Sequence, residues 1–276
     1  MGEVEAFNIK QNISGVNDIK NIKLKIIESL MVGVVKKMLD FIGMGSAFNT
    51  ELGNTSAVIK KISSLILIDC GGTVFHKLKR LNIFDSLENL YIVITHTHPD
   101  HVGSLGEVIF YSYYILKRRP IIFFPKKELI EKFLTSIGVS AEMYHLNSAD
   151  TVNEKDAQLG DFSLEFLSVF HVDTIPAYGF IMKLNGKEIY YSGDANNISD
   201  RVIEKIKSGE IYRIYQDTCG LDYEGNNHLS LRKLCDLVPQ EFRYKVYCMH
   251  LDKHITEKEI KDNGFNVVEI HQHHYI

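Results

Sequence analysis

Two periodicities alternate along this chain. Short apolar, β-branched runs read as strands at Leu39–Ile42, Ser56–Ile62, Leu65–Asp69, Tyr91–Thr95, Ile121–Phe124, Phe162–Phe170, Gly179–Leu184, Glu188–Ser192, Ile211–Gln216, Lys245–His250 and Asn266–Ile270. Between them, apolar positions recurring every three or four residues predict helices over Val102–Lys117, Lys127–Ile137, Ser199–Ser208, Ser230–Leu237 and Thr256–Asn263. Asn185-Gly186 sits between two strand runs and is a strong signal for a type I′ hairpin. A second hairpin is expected between Lys60 and Leu65. Hairpin-rich clusters in both halves, with helices between and after them, predict two mixed sheets covered outside by helices, an α/β (α+β) architecture.

No linker, repeat or low-complexity stretch divides the chain. Residues 1–38 precede the first strand and are expected to form an N-terminal extension to one domain over 39–276. The amphipathic segment Ile26–Leu39 would be a covering helix or a dimer contact.

Composition narrows the class. Of 276 residues, 45% are hydrophobic and 24% charged, which is ordinary for a globular protein with a sizeable core. A net charge of −4 and the lack of a long basic run weigh against a large nucleic-acid partner. Cys70, Cys219, Cys235 and Cys248 are scattered and form neither a CxxC pair nor a disulfide framework, so a reduced, cytoplasmic setting is expected. The start of the chain is polar, unlike a signal peptide, and Ile26–Val35 is too short to span a bilayer, so no membrane role is expected.

The chemistry concentrates where the strand Tyr91–Ile94 runs into Thr95-His96-Thr97-His98-Pro99-Asp100-His101. Three histidines and an aspartate within six residues offer imidazole and carboxylate donors for zinc, iron or manganese. They stand at a strand end leading into a helix, where open α/β architectures carry their sites. One loop cannot complete two coordination shells. His171, Asp194 and His250 each follow an apolar strand and supply the remaining candidates. The C-terminal His271-Gln272-His273-His274 follows the last strand and is not expected to join this centre.

These ordered motifs, HxHxDH followed by a distant His, an Asp and a final His, resemble those of the metallo-β-lactamase superfamily. The likeness runs from about Leu39 to Ile270 and includes Phe41–Ser46, Asp69-Cys70-Gly71 and Tyr191-Ser192-Gly193-Asp194. It implies a four-layer αββα sandwich. It also implies two divalent metal ions, with zinc the first expectation: one on His96, His98 and His171, one on Asp100, His101 and His250, and Asp194 between them.

Tyr215-Gln216-Asp217-Thr218 followed by Asn227-His228-Leu229-Ser230 is similar to the ribonuclease Z-like phosphodiesterase branch. That implies hydrolysis of a phosphodiester. Two metals stabilise the attacking and leaving oxygens, a hydroxide bridging them attacks phosphorus, and a histidine outside the metal shell protonates the leaving group. His228 is the expected acid and Asp217 its orienting carboxylate, although Gln216 stands where the branch has Glu. The expected catalytic set is Asp100, His228 and Asp217.

The tRNA-processing members carry a long arm between the positions of His171 and Asp194, and here that stretch is short. A small phosphodiester, such as a cyclic nucleotide, is therefore favoured over RNA. A ribonuclease Z-like endonuclease, another ester or lactone hydrolase, and a catalytically idle binding protein are the alternatives. Members of the branch are often dimers, so a homodimer is expected.

Overall fold

The structure, a computed structural model, describes residues 38–270. The extension expected before Leu39 lies, apart from Met38, outside the described residues, as do the C-terminal histidines.

Two mixed sheets build the fold. The first contains, in spatial order, β1 (Asp40–Gly43), β2 (Ser56–Lys61), β3 (Ser64–Ile68), β4 (Asn89–Val93), β5 (Ile121–Phe123) and β6 (His145–Asn147). The second contains β7 (Thr151–Asp156), β8 (Gly160–Val169), β9 (Ala177–Leu184), β10 (Lys187–Tyr191), β11 (Ile211–Asp217), β12 (Val246–Met249) and β13 (Asn266–Val267), again in order across the sheet. Each sheet begins as an antiparallel meander and continues as parallel strands.

Local sequence explains the switch. The β9–β10 turn places Asn185 at φ 51° and Gly186 at φ 75°, the pair of positive dihedrals that a type I′ hairpin needs. The β2–β3 turn likewise has Ile62 at φ 45°. Strand β8 alternates, burying Phe162, Leu164 and Phe166. In contrast β3, flanked by β2 and β4, is buried at every position, as expected for a strand covered on both faces.

The sheets meet face to face. The Tyr91 ring packs edge-on against Phe162 at 5.2 Å, and Phe41 lies 5.6 Å from Tyr215. Helices α1 (Val74–Arg80), α2 (Pro99–Val102), α3 (Leu105–Phe110) and α4 (Lys127–Ser136) occupy the connections of the first sheet. Helices α5 (Asp200–Lys207), α6 (Leu231–Leu237) and α7 (Glu257–Asp262) occupy those of the second. α5 buries Val202, Ile203 and Ile206 and turns its charges outward, the amphipathic pattern of a covering helix. The fold is the four-layer αββα sandwich. Among the described residues no helix is long and apolar enough to cross a membrane.

One expected element divides. The single helix predicted over Val102–Lys117 is α2, then α3, then a π-helical turn at Tyr111–Ile115. Ser104 interrupts it because its hydroxyl bonds outside the helix, donating to the Gly71 carbonyl at 2.6 Å and accepting from the Phe75 N–H at 3.1 Å.

Candidate metal centre

The parallel pairings align β10, β11 and β12, and β8 runs in the same direction as β10. Their C-terminal ends therefore share one edge of the second sheet, and β4 ends on the matching edge of the first. The seven expected ligands are carried on the loops that leave these ends. His96 and His98 follow β4, and Pro99 opens α2, where its fixed φ and missing N–H are tolerated, so that Asp100 and His101 ride on the first helical turn. His171 follows β8. Asp194 is reached through Gly193 at φ 58°, where any Cβ would press on the Tyr178 carbonyl and the Thr95 side chain. His250, directly after β12, also adopts a left-handed φ of 58°, a conformation that costs free energy in a non-glycine residue.

These side chains converge. His98 Nδ1 lies 3.1 Å from His96 Nε2 and 3.2 Å from His171 Nε2, and Asp194 Oδ2 is 3.8 Å and 3.7 Å from the same two Nε2 atoms. On the other side, Asp100 Oδ2 is 3.4 Å from His101 Nε2 and 3.3 Å from His250 Nε2, with Asp194 Oδ1 at 3.2 Å from His101 Nε2 and Asp194 Oδ2 at 3.4 Å from His250 Nε2. Donors about 2.1 Å from a tetrahedral ion stand roughly 3.4 Å from one another. Both groups fit that spacing.

His101 Nε2 and Asp194 Oδ1 are moreover buried without a hydrogen-bond partner, although such atoms are nearly always satisfied in folded proteins. The donor set thus fits divalent metal. The first group is His96, His98 and His171, and the second is Asp100, His101, Asp194 and His250.

A second ring of groups orients these donors. Asp69, left-handed at φ 56° just after β3, accepts from the Thr95 N–H and hydroxyl, both at 2.8 Å, and lies 2.9 Å from His101 Nδ1. His171 Nδ1 meets the Asn227 carbonyl at 3.2 Å. Asp217, fully buried at the end of β11, lies 3.3 Å from His250 Nδ1 through Oδ1 and 2.7 Å from His228 Nδ1 through Oδ2. Such partners fix the tautomer and aim of a ligating imidazole.

Burial alone would neutralise these groups, and the carboxylates override it at His250, His101 and His228 but not at His96 or His171. Burial resists charge on His250, yet Asp194 and Asp217 hold its pKa up at about 10. Burial likewise opposes charge on His101, which Asp194 and Asp69 push well above the usual imidazole range. His228 is also raised against burial by Asp217. Burial lowers His96, and the neighbouring His101 adds to that effect. The buried carboxylates thus draw positive charge into the centre, as a cation site does.

All the expected residues come together, including Asp217 and His228, which with Asp194 and His250 form a third group of convergent donors. His76, His145 and His254 belong to none of these groups. Sequence reasoning missed the orienting role of Asp69, which figured only as part of a turn. Its signal was available, because it caps an apolar strand in the same way as His171 and His250 cap theirs. Asn227 acts through its main chain, which its side-chain identity does not announce.

The centre opens into a cavity of about 750 Å³. Among the described residues that line it there is no lysine or arginine.

Known proteins share this architecture. The metallo-β-lactamase fold protein YhfI from Bacillus subtilis superposes with a TM-score of 0.65 at 15% identity, covering 85% of this chain and 95% of YhfI. The short form of human tRNase Z superposes at 0.57 with 18% identity, covering 78% of this chain and 93% of that one. The chain is a metal-dependent hydrolase of this fold. The Anti-Pycsar protein Apyc1 of Paenibacillus harenae is 25% identical over 238 residues, which is 83% of this chain and 95% of the relative. The family model for Anti-Pycsar protein Apyc1 matches residues 37–274, and this chain belongs to that family.

Proposed function

We propose that the protein is a two-metal phosphodiesterase that opens a 3′,5′-cyclic nucleotide to a nucleoside 5′-monophosphate. In this reading His96, His98 and His171 hold one ion, Asp100, His101 and His250 the other, and Asp194 lies between them. When bound, the ions neutralise phosphate charge and make water a nucleophile near neutral pH. Zinc is the first candidate, and manganese or iron suits the same donors.

His228 donates the proton to the departing O3′, and Asp217 on its other ring nitrogen keeps it aimed and protonated. The balance closes: a water oxygen joins phosphorus, the P–O3′ bond breaks, and O3′ takes up the proton. The observation that carries this reading is the 2.7 Å contact of His228 Nδ1 with Asp217 Oδ2 beside the donor groups, since an oriented histidine outside the metal shell suits an alkoxide leaving group.

A small substrate is supported by the cavity, whose lining among the described residues holds no lysine or arginine for further phosphates, and by the short β9–β10 hairpin where an RNA-grasping arm would emerge. The four cysteines are free thiols, which favours a cytosolic setting. We further propose residues 1–38 as an extension to the hydrolase domain and a homodimer as the working form.

The deciding experiment incubates metal-loaded protein with the cyclic monophosphates of cytidine, uridine, adenosine and guanosine, beside a lactone and precursor tRNA. Release of nucleoside 5′-monophosphate is expected. Cleavage of lactone or tRNA alone would refute the reading.

A further inference from the structure

Large apolar side chains stand exposed at the mouth of the metal cavity. Phe48 is 89% exposed, Tyr223 56% and Leu221 44%, and all three line the same cavity as His98, Asp194 and His228. Water-exposed aromatic rings gathered around a polar pocket mark a place that a ligand covers.

Both loops that present these rings are held firmly. Phe48 lies on the β1–β2 loop. There the Ser46 N–H donates to the Leu251 carbonyl at 3.0 Å, and the buried Asn49 amide donates to the carbonyls of Leu251 at 3.0 Å and Asp252 at 3.3 Å. This ties the Phe48 loop to the segment that follows His250. Leu221 and Tyr223 lie on the loop between β11 and α6, organised around the buried Asn226. Its amide donates to the Leu221 carbonyl at 2.8 Å, and its Oδ1 accepts from the His228 N–H at 3.0 Å. The loop segments that carry the rings are therefore tied to the segment after His250 and to the His228 main chain.

Charge sets the class of ligand. The titratable groups lining the cavity are mainly imidazoles and carboxylates, joined by the neutral side chains of Ser46, Asn54, Asn226 and Asn227, with no lysine or arginine among the described residues. A body that fills the mouth must then be planar, uncharged and joined to a single phosphate. A nucleobase meets all three conditions, and stacking on an aromatic face tolerates any base.

Resting on the cyclic-nucleotide reading above, we propose that Phe48 and Tyr223, with Leu221, form a base-stacking subsite that positions the nucleotide over the metal centre. Affinity for the base comes from the rim, and the phosphate is gripped at the floor. Selection among bases is correspondingly weak.

The test is calorimetric binding of a nucleoside 5′-monophosphate and of ribose 5-phosphate to the metal-loaded protein. The ratio of the two dissociation constants isolates the base. In the unmodified protein the base is expected to tighten binding about tenfold. Phe48→Ala and Tyr223→Ala should each remove most of that gain, and Phe48→Trp should keep it. Because Phe48 is exposed, its loss leaves the core intact. A ratio near one in the unmodified protein, or a gain that survives both alanine variants, overturns the subsite. Failure to hydrolyse any cyclic nucleotide would refute the proposed reaction instead, and the binding ratio would still decide the subsite.

Discussion

Asp217 and His228 meet at 2.7 Å, and the same carboxylate reaches His250 Nδ1 at 3.3 Å with its other oxygen. One buried aspartate thus joins the proposed acid to a proposed metal ligand. The two roles separate by mutation. His228→Ala removes the acid only, so metal content measured by elemental analysis should stay unchanged while turnover falls about 10²- to 10⁴-fold. Full activity of that variant on the best diester substrate would exclude His228 as the acid.

Asp217→Asn should do more. It loosens the imidazole of His250 as well as that of His228, so metal affinity should drop about 10- to 100-fold together with turnover. A competition titration with a chromogenic chelator reads the first effect. If Asp217→Asn matched His228→Ala in retaining metal, the link through His250 would carry no weight.

Asp69 serves His101 in the corresponding way from the first sheet, through the 2.9 Å contact at Nδ1 and the two bonds from Thr95. Asp69→Asn should weaken retention of one ion about 10- to 100-fold and spare the other. The expected signature is a titration that splits into one tight and one weak site. Two equally tight sites would show that Asp69 only shapes the turn.

Much of this centre was legible in the sequence, because its donors stop apolar strands where a core residue would otherwise continue. The fold was legible where apolar periodicity was strong, as at β8 and α5. It failed where a polar side chain faces inward. Strand β7 has the sequence TVNEKD, with only Val152 and Asp156 buried, so the apolar alternation that reveals a half-buried strand is missing. Helix α1 escaped for another reason, since seven residues with Val74 and Leu78 as its buried positions give too little repeat to recognise. The rim went unnoticed because Phe48 and Tyr223 lie in loops, where periodicity says nothing.

Asp156 makes the hidden strand testable. It joins the sheets by accepting from the Ser64 hydroxyl at 2.8 Å, the Asn89 amide at 3.0 Å and the Tyr91 hydroxyl at 3.1 Å, besides two backbone N–H groups. Burial pushes its pKa up, but the Leu159 N–H, the Ser64 hydroxyl and the other donors hold it below the usual carboxylate value. A depressed folded-state pKa stabilises the protein above the unfolded value, near 4, and that contribution is lost as pH falls through the lower folded value. Asp156→Asn should cost about 2–3 kcal/mol at pH 7 by denaturant unfolding. The gap from the unmodified protein should narrow below about pH 4. A gap that stayed constant down to pH 3 would mean that the charge contributes nothing.

Gly71 offers a steric test of the same centre. Its Cα packs against the main chain of Asp100, so that a Cβ there would collide with the Asp100 carbonyl and press on the Asn54 side chain at 2.7 Å. The turn cannot retreat, because the Cys70 N–H donates to the His101 carbonyl at 2.7 Å and the Ser104 hydroxyl to the Gly71 carbonyl at 2.6 Å. Gly71→Ala must therefore displace the helical turn that carries Asp100 and His101. Overpacking of this kind costs about 1–3 kcal/mol, and the displaced turn should also release metal. Gly72 is the control. It is exposed, and a Cβ there meets only Asn54 Oδ1 at 3.9 Å, so Gly72→Ala should keep both stability and metal content. If the two alanines behaved alike in thermal unfolding and metal analysis, close contact between the Gly71 turn and the Asp100 loop would not be what holds the ligands in place.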